Sequence, residues 1–246
     1  MRGLAAVFLS IALLQTPGGA RSAEIVVFSD GPLRPAMEKL AARFQAASGV
    51  AMRIVFDTAP GLSGRLARGE KPGVLITLEK EIEELHHNGR ITDVARGVAS
   101  IKLGLATRLG VQAASITDLE SFKQLLLQAD SIIYNSLASG RAFADQIRKA
   151  GLENEVRGKV VVVPGANHLD ELKKRSGRDV ASGQLTQLIT DATIRFLGAL
   201  PPQAQSPTVY AAGTMRGGAS PAEASAFLGF LATPEAAAVL EAAGAK

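Results

Sequence analysis

The chain has 246 residues, 47% of them hydrophobic, and 27 Lys and Arg against 23 Asp and Glu give a net charge of +4. The basic residues are scattered, which argues against a nucleic-acid interface, since that needs a clustered basic face. With no cysteine, disulfides, thiolate metal sites and cysteine nucleophiles are excluded.

Arg2, the apolar run Leu4 to Leu14, the Pro17 break and the small residues Gly18 and Ala20 have the three-part layout of a secretory leader, so residues 1–23 are expected to be a signal peptide. The run is too short to span a bilayer, which needs roughly 20 apolar residues. The mature chain exceeds the usual single-domain size of about 100 to 150 residues, so two modest lobes or one large α/β domain would both fit.

From Glu24 onward, short β-branched runs alternate with helical spacing. Glu24 to Phe28 reads as a strand, and Leu33, Met37, Leu40 and Phe44 place a helix before Gly49. Met52 to Phe56 is a second strand, followed by a helix ending at Gly69. Val74 to Thr77 and Glu79 to His87 repeat the pattern. Ser100 to Thr107 reads as a strand, and Thr117-Asp118-Leu119-Glu120 caps a helix through Leu127. Ser131 to Tyr134 is a strand, Ala138 to Ala150 a helix, and Lys159 to Val163 a valine-rich strand. Leu169 to Lys174 predicts a helix and Leu185 to Thr190 a strand. Pro201, Pro202 and Pro207 mark a crossover, after which Val209 to Ala212 resumes as a strand. Ser220-Pro221-Ala222-Glu223 and Thr233-Pro234-Glu235 open the last two helices. Strands alternating with helices through short loops imply right-handed β-α-β units and parallel pairing.

In such sheets ligands sit beyond the carboxyl ends of strands, where helix N-termini attract negative charge. Three loops hold that position: Ser29 to Pro32, Thr58 to Gly61, and Asn135 to Gly140. The first supplies the oxygens of Ser29 and Asp30 and the close approach allowed by Gly31. The second supplies Thr58 and the N–H of Ala59. The third combines Ser136, Ser139 and Gly140 with Arg141, whose charge opposes the helix dipole unless an anion lies nearby. Each feature also has a purely structural use: Ser, Thr and Asp cap helices whatever binds there, and Arg141 can simply face water. His86, His87 and His168 show no metal-binding spacing, and there is no serine-hydrolase elbow, P-loop or GxGxxG, so no catalytic residue, metal or cofactor is indicated. Tyr210 and Phe227 to Phe230 read as core.

The phrases IVVFSDGPLRPAMEKLAARFQAASGV, FDTAPGLSGRLARGEKPGVLIT, EIEELHHNGRI, SIIYNSLASGRAFADQIRKAGL and SPAEASAFLGFLATPEAAAVLEAAG, in that order, resemble the molybdate-receptor branch of the type II periplasmic solute-binding proteins. The resemblance implies an α/β fold of two lobes, with mostly parallel sheets flanked by helices and a ligand cleft between them. Residues 24–97 and 206–246 would form lobe I and residues 98–205 lobe II. It further implies a monomeric periplasmic protein that binds a small anion through backbone N–H groups and hydroxyls and delivers it to a membrane ABC permease.

The family's ligand positions are altered here. Its first serine corresponds to Pro32, its second to Ala59, and a tyrosine near residue 190 to Asp191. A carboxylate facing a dianion in a dry cleft is repulsive, which disfavours molybdate. SDGPLRPAM, FDTAPGL and YNSLASG are closer to an organic-acid subgroup, one branch of which isomerises aconitate. Three readings follow: a receptor for a polycarboxylate or oxyanion, with Arg34 or Arg141 as charge partner; an exported isomerase with Asp30 or Asp191 as general base; or a vestigial pocket on a protein that contacts a partner.

Overall fold

The computed structural model describes residues 24–246, so the expected leader lies outside the described residues. The first half runs β1 (Glu24–Asp30), α1 (Arg34–Ser48), β2 (Ala51–Asp57), α2 (Ala59–Ala67), β3 (Val74–Leu78), α3 (Glu79–His87) and β4 (Ile91–Ile101). The middle continues with β5 (Leu103–Arg108), α4 (Leu119–Gln128), β6 (Ile132–Asn135), α5 (Ala138–Lys149), α6 (Glu153–Val156), β7 (Val160–Val163) and α7 (His168–Lys174). It ends with β8 (Val180–Gln184), α8 (Leu185–Leu188), β9 (Ile194–Ala199), β10 (Thr208–Met215), α9 (Pro221–Leu231) and α10 (Pro234–Ala242).

Two five-stranded sheets result, ordered β2-β1-β3-β10-β4 and β7-β6-β8-β5-β9. This is the two-lobed α/β architecture that the resemblance implied, flanked by helices. Each sheet is mixed. β1 pairs parallel with β2 and β3, and β6 with β7 and β8. β10 runs antiparallel to β3 and β4, and β5 antiparallel to β8 and β9. The antiparallel members are the strands next to the crossovers, because a chain that arrives from the other lobe is free of the right-handed β-α-β constraint.

Strand pairing keeps residues 98–101 in the first sheet, since Ala99, Ser100 and Ile101 face Tyr210, Val209 and Thr208. The chain then crosses at Lys102 and returns through residues 200–207. Gln205 ties the two crossovers together: its Oε1 accepts the N–H of Leu103 at 2.7 Å, and its Nε2 donates to the carbonyls of Leu103 and Leu200.

Each sheet is covered on both faces. In the first lobe Ile25, Val27, Leu40, Phe44 and Phe227 pack on one side, with Phe44 and Phe227 edge to face at 5.1 Å, and Phe28, Leu62, Leu75 and Ile82 on the other. In the second lobe Leu103, Phe122, Ile132 and Phe143 pack opposite Ala106, Ile133, Leu172 and Leu188. Burial on both faces explains why the central strands read as continuous apolar runs rather than alternating ones.

Local signals account for most boundaries. Gly49 ends α1 in the left-handed region at φ 71°, with its N–H on the Gln45 carbonyl. Asp118 caps α4 by accepting the N–H of Ser121, whose hydroxyl returns the bond. Three expectations fail. Leu185 to Thr190 is not a strand, because β8 ends at Gln184 and the chain turns into the short helix α8. The strand expected from Ser100 is broken at Lys102, where β4 and β5 part to different sheets. Ser220 forms no side-chain cap on α9; at φ 53° its hydroxyl donates to the Glu24 carbonyl instead.

Candidate functional site

β1 and β2 each end in a carboxylate. Asp30 turns back to accept the N–H of Gly31 at 2.9 Å, capping the short 3-10 turn Gly31–Leu33. Asp57 accepts the N–H of Thr58 at 2.9 Å and is paired with Arg65 at 3.0 Å. Thr58 caps α2, its hydroxyl oxygen accepting the N–H of Gly61 at 3.2 Å. The first helical residue, Ala59, retains an N–H with no helix carbonyl to receive it.

Across from these loops, α5 starts at Ala138. Here the side chain of Asn135 closes the loop. Its Oδ1 accepts the N–H groups of Leu137 at 2.9 Å and Gly140 at 3.1 Å, and its Nδ2 donates to Ser139 Oγ at 3.1 Å. The amide oxygen thus takes donors that an anion would otherwise engage. The N–H groups of Ala138 and Ser139, at the first two helical positions, remain free of helix carbonyls.

A cavity of about 300 Å3 lies between the sheets. It is lined from the first lobe by Asp30, Arg34, Asp57, Thr58, Ala59, Glu81 and Tyr210, and from the second by Asn135, Ser139, Arg141, His168, Gln184 and Gln187. That volume is at the lower end for small-molecule sites. The three loops singled out in the sequence therefore meet. Asp30, Gly31, Thr58, Ala59, Ser139 and Arg141 reach the cavity, as does Arg34, whereas Ser29, Ser136 and Gly140 do not. Ser29 is fully buried, with its hydroxyl on the Asp30 carbonyl. Ser136 donates its N–H to Val163 at 3.0 Å and is exposed. Gly140 spends its N–H on Asn135. Asp191 does not line the cavity; it is paired with Lys173 at 2.8 Å and accepts the N–H of Thr193. The carboxylates that line the cavity are instead Asp30, Asp57 and Glu81.

Several lining residues are not assigned to the site by the sequence, among them Asp57, Gln187 and the four described next. Glu81 stands on α3 and accepts the Thr77 hydroxyl at 2.9 Å. Tyr210 and Gln184 join across the lobes: Gln184 Nε2 donates to the phenol oxygen at 2.9 Å, which in turn donates to Gln184 Oε1 at 3.1 Å. His168 is 1% exposed. Its Nδ1 lies 3.1 Å from the Ala166 carbonyl, which assigns the proton to Nδ1 and leaves Nε2 as a buried acceptor with no partner. A polar residue ending an apolar strand, as Gln184 does in VASGQ, was the available signal.

The electrostatics are mixed. Burial pushes Asp30 up to about 7, against the lowering pull of the Gly31 N–H and with help from the charges of Glu81 and Asp57. Burial raises the Tyr210 phenol, so it stays neutral, and lowers His168, so its imidazole is uncharged. Arg34 lies over the Phe56 ring at 4.1 Å and pairs with Glu38; Arg141 donates to the Ser136 carbonyl at 2.9 Å. Among the described residues no cluster of His, Asp and Glu could hold a metal ion. No helix there is long and apolar enough to cross a membrane.

Because the Tyr210–Gln184 pair is buried at 1% and 2% exposure, Tyr210→Phe leaves an amide without its partner. The expected loss is about 1 to 3 kcal/mol of stability, read as a lower denaturant midpoint with unchanged slope.

Two α/β lobes, joined by two crossovers and opening helix N-termini onto one shared cavity, define a type II solute-binding protein. The chain belongs to the bacterial extracellular solute-binding proteins, whose family model matches residues 25–246. It is 26% identical over 230 residues to an aconitate isomerase of a Pseudomonas species, covering 90% of this chain and 87% of that one. Its fold is shared with the periplasmic molybdate-binding protein of Azotobacter vinelandii, at a TM-score of 0.75 and 20% identity over 90% of this chain and 98% of that one. It is shared also with the substrate-binding domain of a molybdenum ABC transporter from Clostridium difficile (TM-score 0.72, 16% identity, 92% and 99% covered). The sulfate-binding protein SubI of Mycobacterium tuberculosis superposes at 0.70 with 20% identity, over 91% of this chain and 86% of that one.

Proposed function

We propose that this chain is an exported receptor that holds a small polycarboxylate between its lobes and delivers it to a membrane ABC permease. One observation carries the reading: the N-termini of α2 and α5, on opposite lobes, and the guanidinium groups of Arg34 and Arg141 border the same cavity. Free N–H groups at Ala59, Ala138 and Ser139 suit an anion, and two separated cations suit a ligand with more than one carboxylate. Protonated, Asp30 can donate a hydrogen bond to a ligand oxygen, whereas ionised it repels any anion. Structural neighbours named as molybdate- and sulfate-binding proteins support an anion in general.

Thermal denaturation with molybdate, tungstate, sulfate, phosphate, citrate and the two aconitate isomers tests this. A ligand at 100 times its dissociation constant adds roughly 2.7 kcal/mol. Citrate or an aconitate isomer is expected to raise the midpoint; a shift with molybdate and none with any carboxylate would overturn the reading. Arg141→Ala is expected to weaken the carboxylate by about tenfold or more, the loss of one charge-assisted hydrogen bond, as measured by calorimetric titration.

A second reading is favoured by Asp30 itself. A carboxyl poised near 7 inside a ligand cleft fits a general base, and the Pseudomonas relative is named an aconitate isomerase. In this reading ionised Asp30 takes a proton from a carbon next to a substrate carboxylate, and the proton is returned after the double bond rearranges. Proton NMR of trans-aconitate incubated with the protein decides it: formation of the cis isomer above the blank, abolished in Asp30→Asn, makes the chain an enzyme, and no conversion removes the reading.

A further inference from the structure

Asp30 is 7% exposed at the cleft wall, where its carboxyl accepts a single N–H, that of Gly31. The charges that act on it are those of Glu81 and Asp57, both negative. No ion pair of the described residues includes Asp30. Desolvated carboxylates with like charges beside them do not stay ionised when another anion arrives. We propose that a carboxylate ligand enters this cleft together with one proton, which Asp30 holds and donates to a ligand oxygen in a carboxyl–carboxylate hydrogen bond. The proton comes from solvent, and no other bond is made or broken. The proposal rests on the polycarboxylate reading above and adds that pH governs its affinity.

Apart from the unpartnered Nε2 of His168, the other ionisable groups around the cleft have partners or carry permanent charge. Asp57, on β2, is held by Arg65 at 3.0 Å, and Glu81, on α3, by the Thr77 hydroxyl at 2.9 Å. Tyr210, on β10, is tied to Gln184. Across the cleft, His168 on α7 directs Nδ1 to Ala166 and is kept neutral by burial. Arg34 on α1 and Arg141 on α5 bear permanent charge. Two groups are thus left to take up a proton, Asp30 and the unpartnered Nε2 of His168; Asp30 is the one bordered by two carboxylates, and Asp30→Asn separates the two.

The probe is trans-aconitate, whose own carboxyls are ionised at neutral pH and above. Calorimetric titration of the chain near neutral pH, in PIPES and in Tris, reads proton uptake as a difference in apparent enthalpy between buffers of small and large ionisation enthalpy. The expected result is net uptake of up to one proton, with affinity falling up to about tenfold per unit as pH rises above roughly 7. Asp30→Asn, with a permanent N–H donor in place of the titrating group, is expected to show equal enthalpies in the two buffers and no pH slope. Equal enthalpies with a flat affinity in the wild-type chain overturn the proposal while leaving the receptor reading intact. Retention of the slope in Asp30→Asn overturns it too, by placing the proton elsewhere. Should that variant not fold, the carbon-13 shift of the Asp30 carboxyl decides: movement to the protonated position on adding trans-aconitate supports the proposal, and an ionised signal refutes it. Failure of trans-aconitate and citrate to bind at any pH would instead sink the polycarboxylate reading, and this proposal with it.

Discussion

Asp30→Asn is expected to raise the melting temperature of the unliganded protein by roughly 10 °C at about pH 8 and to change it little near pH 4. The unfolded chain releases this proton near the ordinary value of 3.8, whereas the folded chain holds it to about 7. Between those values the native state binds more protons than the unfolded state, so stability falls as pH rises and the loss is complete above the folded value. A gap of that size corresponds to roughly 4 kcal/mol at most, and a chain of this length converts about 1 kcal/mol into 2 to 4 °C. Asparagine keeps an oxygen for the Gly31 N–H and removes the charge that Glu81 and Asp57 oppose. The measurement is a pair of thermal melts across pH. A constant gap between wild type and variant would mean that Asp30 does not titrate in the folded state.

This prediction also shows how site and stability conflict. A buried carboxyl without a cation is a defect for folding, and its retention in a cleft is intelligible if a bound ligand repays the cost. Asp30 is legible in the sequence because it stands at a strand end ahead of Gly31 and Pro32, a position that caps a helix and meets ligands alike. The sequence does not place Glu81 and Asp57 as the charges beside it, since those arrive from α3 and β2 through tertiary packing.

The β-α units of the first lobe are legible because each has a β-branched run and a glycine stop, at Gly49, Gly69 and Gly89. The stretch from β8 to β9 is not. Leu185 to Leu188 is a single helical turn buried between strands, and short apolar runs have no periodicity to distinguish turn from strand. β4 was missed for the opposite reason: as the outermost strand of its sheet it exposes Thr92, Asp93, Arg96 and Gly97, which hide any apolar pattern. In the site, the sequence marks Asn135 as a loop residue, and the structure makes it the loop's internal acceptor. Asparagine at a strand end with small residues following is an Asx-turn signal, and it accounts for why Gly140 does not serve as a donor.

Gly140→Ala is expected to disrupt the second lobe's share of the cleft altogether. A Cβ at position 140 would lie 1.7 Å from the carbonyl oxygen of Asn135 and 2.6 Å from its carbon, both backbone atoms. Because neither can swing aside like a side chain, α5 must move off β6, breaking the Gly140 N–H bond to Asn135 and displacing Ala138, Ser139 and Arg141 together. Ordinary overpacking costs about 1 to 3 kcal/mol, and this contact is tighter than rotamer changes relieve, so the expected loss is at or above the top of that range. The fitting control is Gly158→Ala, where a Cβ meets nothing within 4 Å; it should melt within about 0.5 kcal/mol of wild type. Chemical denaturation compares the two, and anion titration of any folded Gly140→Ala protein should show the ligand-induced rise in midpoint reduced or gone. If Gly140→Ala matches the control in both stability and anion response, the close approach of α5 to β6 is wrong, and with it the placement of the Ala138 and Ser139 amides at the ligand.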